Sequence, residues 1–229
     1  MTKLIRCLFS SFIVMVLASG CAPQTTKIEE FPRLYEEQPT SILILPPMNE
    51  STAADAKEYY STTIQEPLAY SGYYTLPYVI TSDMLKMEGI YDSELLVDVP
   101  LGKFKEYFGA DAVLFTKIKE WDLSYLVVAS TLTVSIDSVL KSTTSNEVLW
   151  NYTGTVVVDL SGGVGNGGGV IGLALKVVVI AINSAMAEYV KYAREANYKA
   201  LATIPFGKYH LQHNKDQNIQ FIDLTPEEK

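Results

Sequence analysis

Cysteine and histidine are scarce: the 229-residue chain has two of each. Cys7 lies in an N-terminal segment that reads as removed on export, so the mature protein would keep one thiol, Cys21, and could form no internal disulfide. His210 and His213 sit together in a polar C-terminal stretch beside Tyr209, without cysteines or an acidic ligand spacing that would mark a metal site. With no histidine in the candidate core, a Ser-His-Asp or Cys-His nucleophile has no base to draw on, which disfavours hydrolase chemistry. Glu66, Asp111, Glu120 and Asp122 show no spacing of a glycosidase pair. No catalytic residue, metal ligand or cofactor is assigned, apart from a covalent lipid on Cys21.

Basic charge is also in deficit, with 18 Lys and Arg against 26 Asp and Glu and a net charge of −8. Lys3 and Arg6 belong to the segment removed, so the mature protein is two units more acidic still. The remaining bases are scattered among acids, as in Lys117, Lys119 and Glu120, or Lys191, Arg194 and Glu195. Phosphate binding needs clustered cations, so nucleic acid is excluded as a partner and the acidic excess serves solubility.

What is present at the start is an export signal. Lys3 and Arg6 precede an apolar stretch at residues 8–18, too short to span a bilayer, and small residues lead to Cys21. Ala18, Ser19, Gly20 and Cys21 resemble the lipobox of bacterial lipoproteins, with Ala18 in the usual leucine slot. An acylated Cys21 would anchor the chain to a membrane surface without spanning it. By the same resemblance, Ala22 lacks the aspartate of inner-membrane retention, which places the protein on the periplasmic face of the outer membrane. The expected organisation is a signal at residues 1–20, a lipidated tether at 21–38, one α/β domain at 39–206 and a polar, solvated tail at 207–229.

Residues 41–47, SILILPP, read as a buried strand ending in a loop. Residues 52–70 have helical spacing, with Pro67 expected to kink the last turn or end it early; residues 73–80 read as a strand whose Pro77 places it at an edge or at a bulge, and Thr81 or Ser82 is expected to cap a short helix ending at Gly89. A helix follows from Leu101 to Phe108, stopped by Gly109. Residues 112–119 open a different regime. Leu132, Val134 and Ile136 alternate with Thr131, Thr133 and Ser135, and the pattern returns at Trp150, Tyr152 and Val156, giving an antiparallel three-stranded meander. The predicted fold class is α/β: a single domain with a mixed sheet, helices packed on it and a long C-terminal helix.

The stretch SGGVGNGGG at residues 161–169 lacks the Gly-Lys-Ser/Thr ending of a phosphate loop and reads as a connector. Residues 170–187 are almost wholly apolar, interrupted by Lys176, Asn183 and Ser184. A core or oligomer helix is preferred over membrane contact, with Val170, Leu173, Val177 and Ile180 as oligomer-forming positions. The loop after the first strand offers Pro47, Asn49 and Ser51 to a partner or ligand.

The phrases ILILPPMN, GYYTLPYVI, FGADAVLFTKIKEW, EVLW and IPFGKYH occur in order along the chain. Together they resemble bacterial lipoproteins related to the genome-derived Neisseria antigen, a family of unknown biochemical function. The resemblance implies an α/β domain similar to the N-terminal domain of TolB and to curli-secretion lipoproteins, acting in envelope transport or secretion assemblies. Lys208 and Leu211 depart from the prolines expected in the last phrase. The leading expectation is a non-catalytic, lipid-anchored adaptor that binds other envelope proteins and forms a homo-oligomer. A periplasmic small-ligand or glycan-binding module and a membrane-inserting secretion-pore component are the alternatives, with an unfamiliar enzyme ranked last.

Overall fold

A computed structural model describes residues 25–91, 93–126, 129–159 and 189–220. Two short helices, α1 (Lys27–Glu30) and α2 (Pro32–Glu37), precede strand β1 (Ser41–Ile44) and the two-residue β2 (Met48–Asn49). Helices α3 (Ala56–Ser61) and α4 (Gln65–Tyr70) lead to β3 (Tyr74–Thr75), α5 (Tyr78–Met87), a 3-10 turn (Ser93–Leu96) and α6 (Leu101–Phe108). Three long strands, β4 (Ala112–Leu126), β5 (Ala129–Ser142) and β6 (Val148–Asp159), are followed by α7 (Tyr189–Leu201).

The sheet order is β3-β1-β4-β5-β6, with β2 also on β4. β1 runs parallel to β3 and β4, while β4, β5 and β6 form the antiparallel meander. This is the mixed α/β sheet that the apolar alternation calls for. A bulge between Ile118 and Glu120 shifts the register, so that Ile118 and Trp121, three positions apart, both face the larger core.

Strand pleating sends neighbouring residues to opposite cores. Ile42, Ile44, Ala112 and Leu114 join Trp150, Leu132, Ile136 and the α7 residues Ala193, Ala196 and Ala200 on the first face. Leu43, Leu45, Val113 and Phe115 face a smaller second core with Leu85, Leu96, Leu101 and Phe104. Each such fully buried Leu, Ile or Val contributes about 1.5–3 kcal/mol relative to exposure. The enclosed Trp150 donates its Nε1–H to Thr203 Oγ1 at 3.2 Å.

Several elements depart from the sequence reading. The helix expected over residues 52–70 is broken between Ser61 and Gln65, because Pro67 cannot donate to the carbonyl one turn earlier. Asn197, fully buried on α7, uses that break: its Nδ2 donates to Tyr60 O and to Thr63 Oγ1, both at 2.9 Å. Residues 27–37, expected within the tether, instead form α1 and α2, with Phe31 and Leu34 in the first core. Residues 207–220, expected as a solvated tail, pack against α1: Lys27 N donates to Ile219 O at 3.0 Å and Ile28 N to Gln217 O at 3.1 Å. Cys21, the lipobox, the oligomer-helix positions Val170, Leu173, Val177 and Ile180, and residues 221–229 lie outside the described residues.

Candidate functional site

The strand expected over residues 73–80 is only two residues long, and the rest becomes the start of α5. Pro77 has no N–H to give the sheet, and Gln65 fixes the switch into helix: its Oε1 accepts from Tyr78 N at 3.2 Å and its Nε2 donates to Leu76 O at 2.8 Å. Thr81 and Ser82, expected as caps, lie inside the helix and are buried. Their hydroxyls donate to Tyr78 O and Val79 O, both at 3.0 Å, which satisfies them without water.

This orientation turns the apolar side of α5 outward. Val79 is 68% exposed, Ile80 60%, Met84 47% and Met87 86%. A surface helix ordinarily does the reverse. Between α5, the 3-10 turn and α6 lies a cavity of about 720 Å³ lined by Met84, Leu85, Met87, Ile90, Phe104 and Tyr107. Glu88 and Lys103 are the charged residues along it, and Lys103 pairs with Glu106 at 2.7 Å. That pairing raises the Lys103 pKa above its usual value. Concave apolar surfaces of this size are characteristic of binding sites, and flexible thioethers adapt to varied occupants. The signal for the outward apolar face was in the sequence, as Ile80, Met84 and Met87 at helical spacing, but ending the strand at Ile80 separated that residue from the helix expected to hold the other two.

The loop after β1 behaves differently from its expectation. Pro47 is buried, Asn49 lies in β2, and the polar groups close on one another: Asn49 Nδ2 donates to Ala53 O at 2.8 Å, while Ser51 Oγ donates to Asn49 Oδ1 at 2.7 Å. None of the three lines the cavity.

The carboxylates are structural in their contacts. Asp111 accepts from the Thr40 and Ser41 amides and from Ser41 Oγ, each at 3.1 Å. Burial pushes its pKa up, but these bonds and the Lys105 charge outweigh that and hold it below the ordinary value. Glu66 accepts from Arg194 Nε at 2.8 Å and from the Tyr198 hydroxyl at 3.2 Å. His213 Nδ1 lies 2.9 Å from Phe206 O, and His210 stacks on the Phe206 ring at 3.8 Å. Among the described residues no group of three or more His, Cys, Asp and Glu could hold a metal ion, and no helix is long and apolar enough to cross a membrane.

Comparison with known proteins gives a coherent set. The model of a family described as "Putative lipoprotein GNA1162-like" matches residues 30–207. A relative from Neisseria meningitidis serogroup B (strain ATCC BAA-335 / MC58), "Putative lipoprotein NMB1124/NMB1162", is 28% identical over 177 residues, covering 77% of this chain and 81% of the relative. The crystal structure of lipoprotein GNA1162 from Neisseria meningitidis is similar at 26% identity and a TM-score of 0.49, covering 65% of this chain and 100% of that one. A PelC dodecamer from Paraburkholderia phytofirmans is similar at 13% identity and a TM-score of 0.40, covering 82% and 96%.

Proposed function

The chain belongs to the GNA1162-like lipoprotein family, and from that premise we propose that it is a non-catalytic adaptor or accessory component of an envelope transport or secretion assembly. It is anchored through acylated Cys21, faces the periplasm from the outer membrane, and self-associates. The observation that carries the adaptor reading is the outward apolar face of α5 beside the cavity, a surface of the kind that marks interaction sites.

The occupant is residues 170–187 of a second copy. That segment is almost wholly apolar in sequence, which suits an apolar cavity, and its single charge, Lys176, complements Glu88 along it. Two residues beyond that segment in the chain, Tyr189 opens α7 with its ring 5.0 Å from Tyr59 on the first face of the sheet, whereas the cavity is built on the second. A segment of one copy seated in the cavity of another is a head-to-tail contact, the kind that closes into rings when the rotation permits. The alternative of a glycan-binding loop at residues 48–53 is less favoured, because that loop spends its polar groups on itself.

The test is native mass spectrometry of the lipidated protein in detergent, with crosslinking in intact cells. Oligomers are expected, and Ile80→Asp with Met84→Asp should return them to monomers. Wild-type protein recovered only as a monomer by both methods would remove the reading.

A further inference from the structure

We infer that the loop at residues 207–220 is a membrane-docking face that rests on the anionic lipid surface beside the anchor. The inference depends on the anchored reading above and adds an orientation to it. Its starting point is length: five residues, 22–26, separate Cys21 from Lys27, the first residue of α1. At full extension the chain between those two residues spans about 20 Å. Whatever surrounds Lys27 is thereby held within reach of the bilayer surface.

What surrounds Lys27 is this loop. Backbone bonds join it to Lys27 and Ile28, and Thr26 bridges Gln220. From that base the loop projects Leu211, 92% exposed, and Tyr209, 65% exposed, with Ile219 also open to solvent. Isolated exposed apolar residues are ordinary. Here an apolar side chain and an amphipathic aromatic stand two residues apart in the loop nearest the anchor, the combination that seats in the headgroup region.

The local charge agrees. Lys208 and Lys215 are exposed, and the loop's one acid, Asp216, is enclosed and paired with Lys27 at 3.5 Å. The exposed acids nearest in the chain to that junction are Glu29 and Glu30 on α1, outside the loop itself, and the loop's own exposed lysines favour contact with an anionic leaflet. The backbone beneath is fixed: Gly207 N donates to Ser71 O at 2.8 Å and Tyr209 N to Gly72 O at 3.0 Å, so the side chains are presented from a rigid base.

The experiment uses the full lipidated protein in vesicles of phosphatidylethanolamine with phosphatidylglycerol. Leu211→Cys is labelled with an environment-sensitive thiol dye, and Asn151→Cys on the exposed side of β6 is the control. Cys7 is lost with the signal and an acylated Cys21 offers no free thiol, so the label is specific. The dye at 211 should shift to the blue and be quenched by spin-labelled lipid, and the dye at 151 should not. Lys208→Glu and Lys215→Glu should each shift the docked population about fivefold toward undocked. Flotation of the vesicles reads the anchor separately. Protein that floats with residue 211 as water-exposed as residue 151 overturns the docking alone, whereas protein that fails to float overturns the anchored reading and the docking with it.

Discussion

The Asp216 carboxylate, fully enclosed, lies 3.5 Å from the Lys27 ammonium, which is itself almost fully buried. Lys27 also donates to Ile204 O at 3.1 Å and lies 5.1 Å from the Phe206 ring centre, while Asp216 accepts from Phe206 N at 2.9 Å. Burial lowers the Lys27 pKa and the Asp216 charge partly restores it. The pair ties α1 to the loop at residues 207–220, the base on which the proposed docking face stands.

Removing one partner should leave an uncompensated buried charge. Lys27→Met is expected to destabilise the protein by about 3–5 kcal/mol, whereas Lys27→Met with Asp216→Leu should recover most of the loss. Urea denaturation of the two variants checks this, and equal destabilisation by both would contradict it.

Gly72 has φ +87, and a Cβ there would sit 2.4 Å from His210 N. Gly72→Ala should cost about 2 kcal/mol or more, since neither the backbone conformation nor the space suits a side chain. Thermal unfolding together with amide exchange at residues 207–213 would show whether the loss is centred on that loop.

Asp111 gives the acid side of the stability profile. Because its folded pKa is depressed, it favours the folded state fully above the unfolded carboxylate value and loses that contribution as pH falls through the lowered folded value. Asp111→Asn should destabilise at neutral pH by about 1–2 kcal/mol and flatten the decline below pH ~4. Denaturant midpoints across pH for both proteins measure the difference, and parallel curves would exclude this role.

The outward face of α5 should be separable from stability. Ile80→Asp and Met84→Asp replace exposed side chains, so each should change unfolding free energy by no more than about 0.5 kcal/mol while reducing self-association. Calorimetry alongside sedimentation tests both halves, and an oligomer unaffected by either change would clear this face of involvement.

The meander was legible because β4, β5 and β6 are long enough for period-two alternation to stand out, as at Leu132, Val134 and Ile136. The stop at Gly109 was equally plain, with φ +67 at the end of α6. The switch at Pro77 was not. Residues 73–80 suit a strand locally, and the choice of helix from Tyr78 depends on Gln65, thirteen positions earlier in the chain. Once the helix starts there, Thr81 and Ser82 fall on the inner side and Ile80, Met84 and Met87 on the outer, so the outward apolar face was split by a helix start placed too late in the chain.

The sequence by itself determined the alternating strands, the acidic balance, the scarcity of histidine and cysteine, and a lipobox-like start, because these depend on residue type and short spacing. Tertiary structure decided which face of α5 meets solvent, that the supposed tail through Gln220 is packed against α1, and that Lys27 pairs with Asp216. Each of those outcomes rests on contacts between residues far apart in the chain, whose energies no local pattern records.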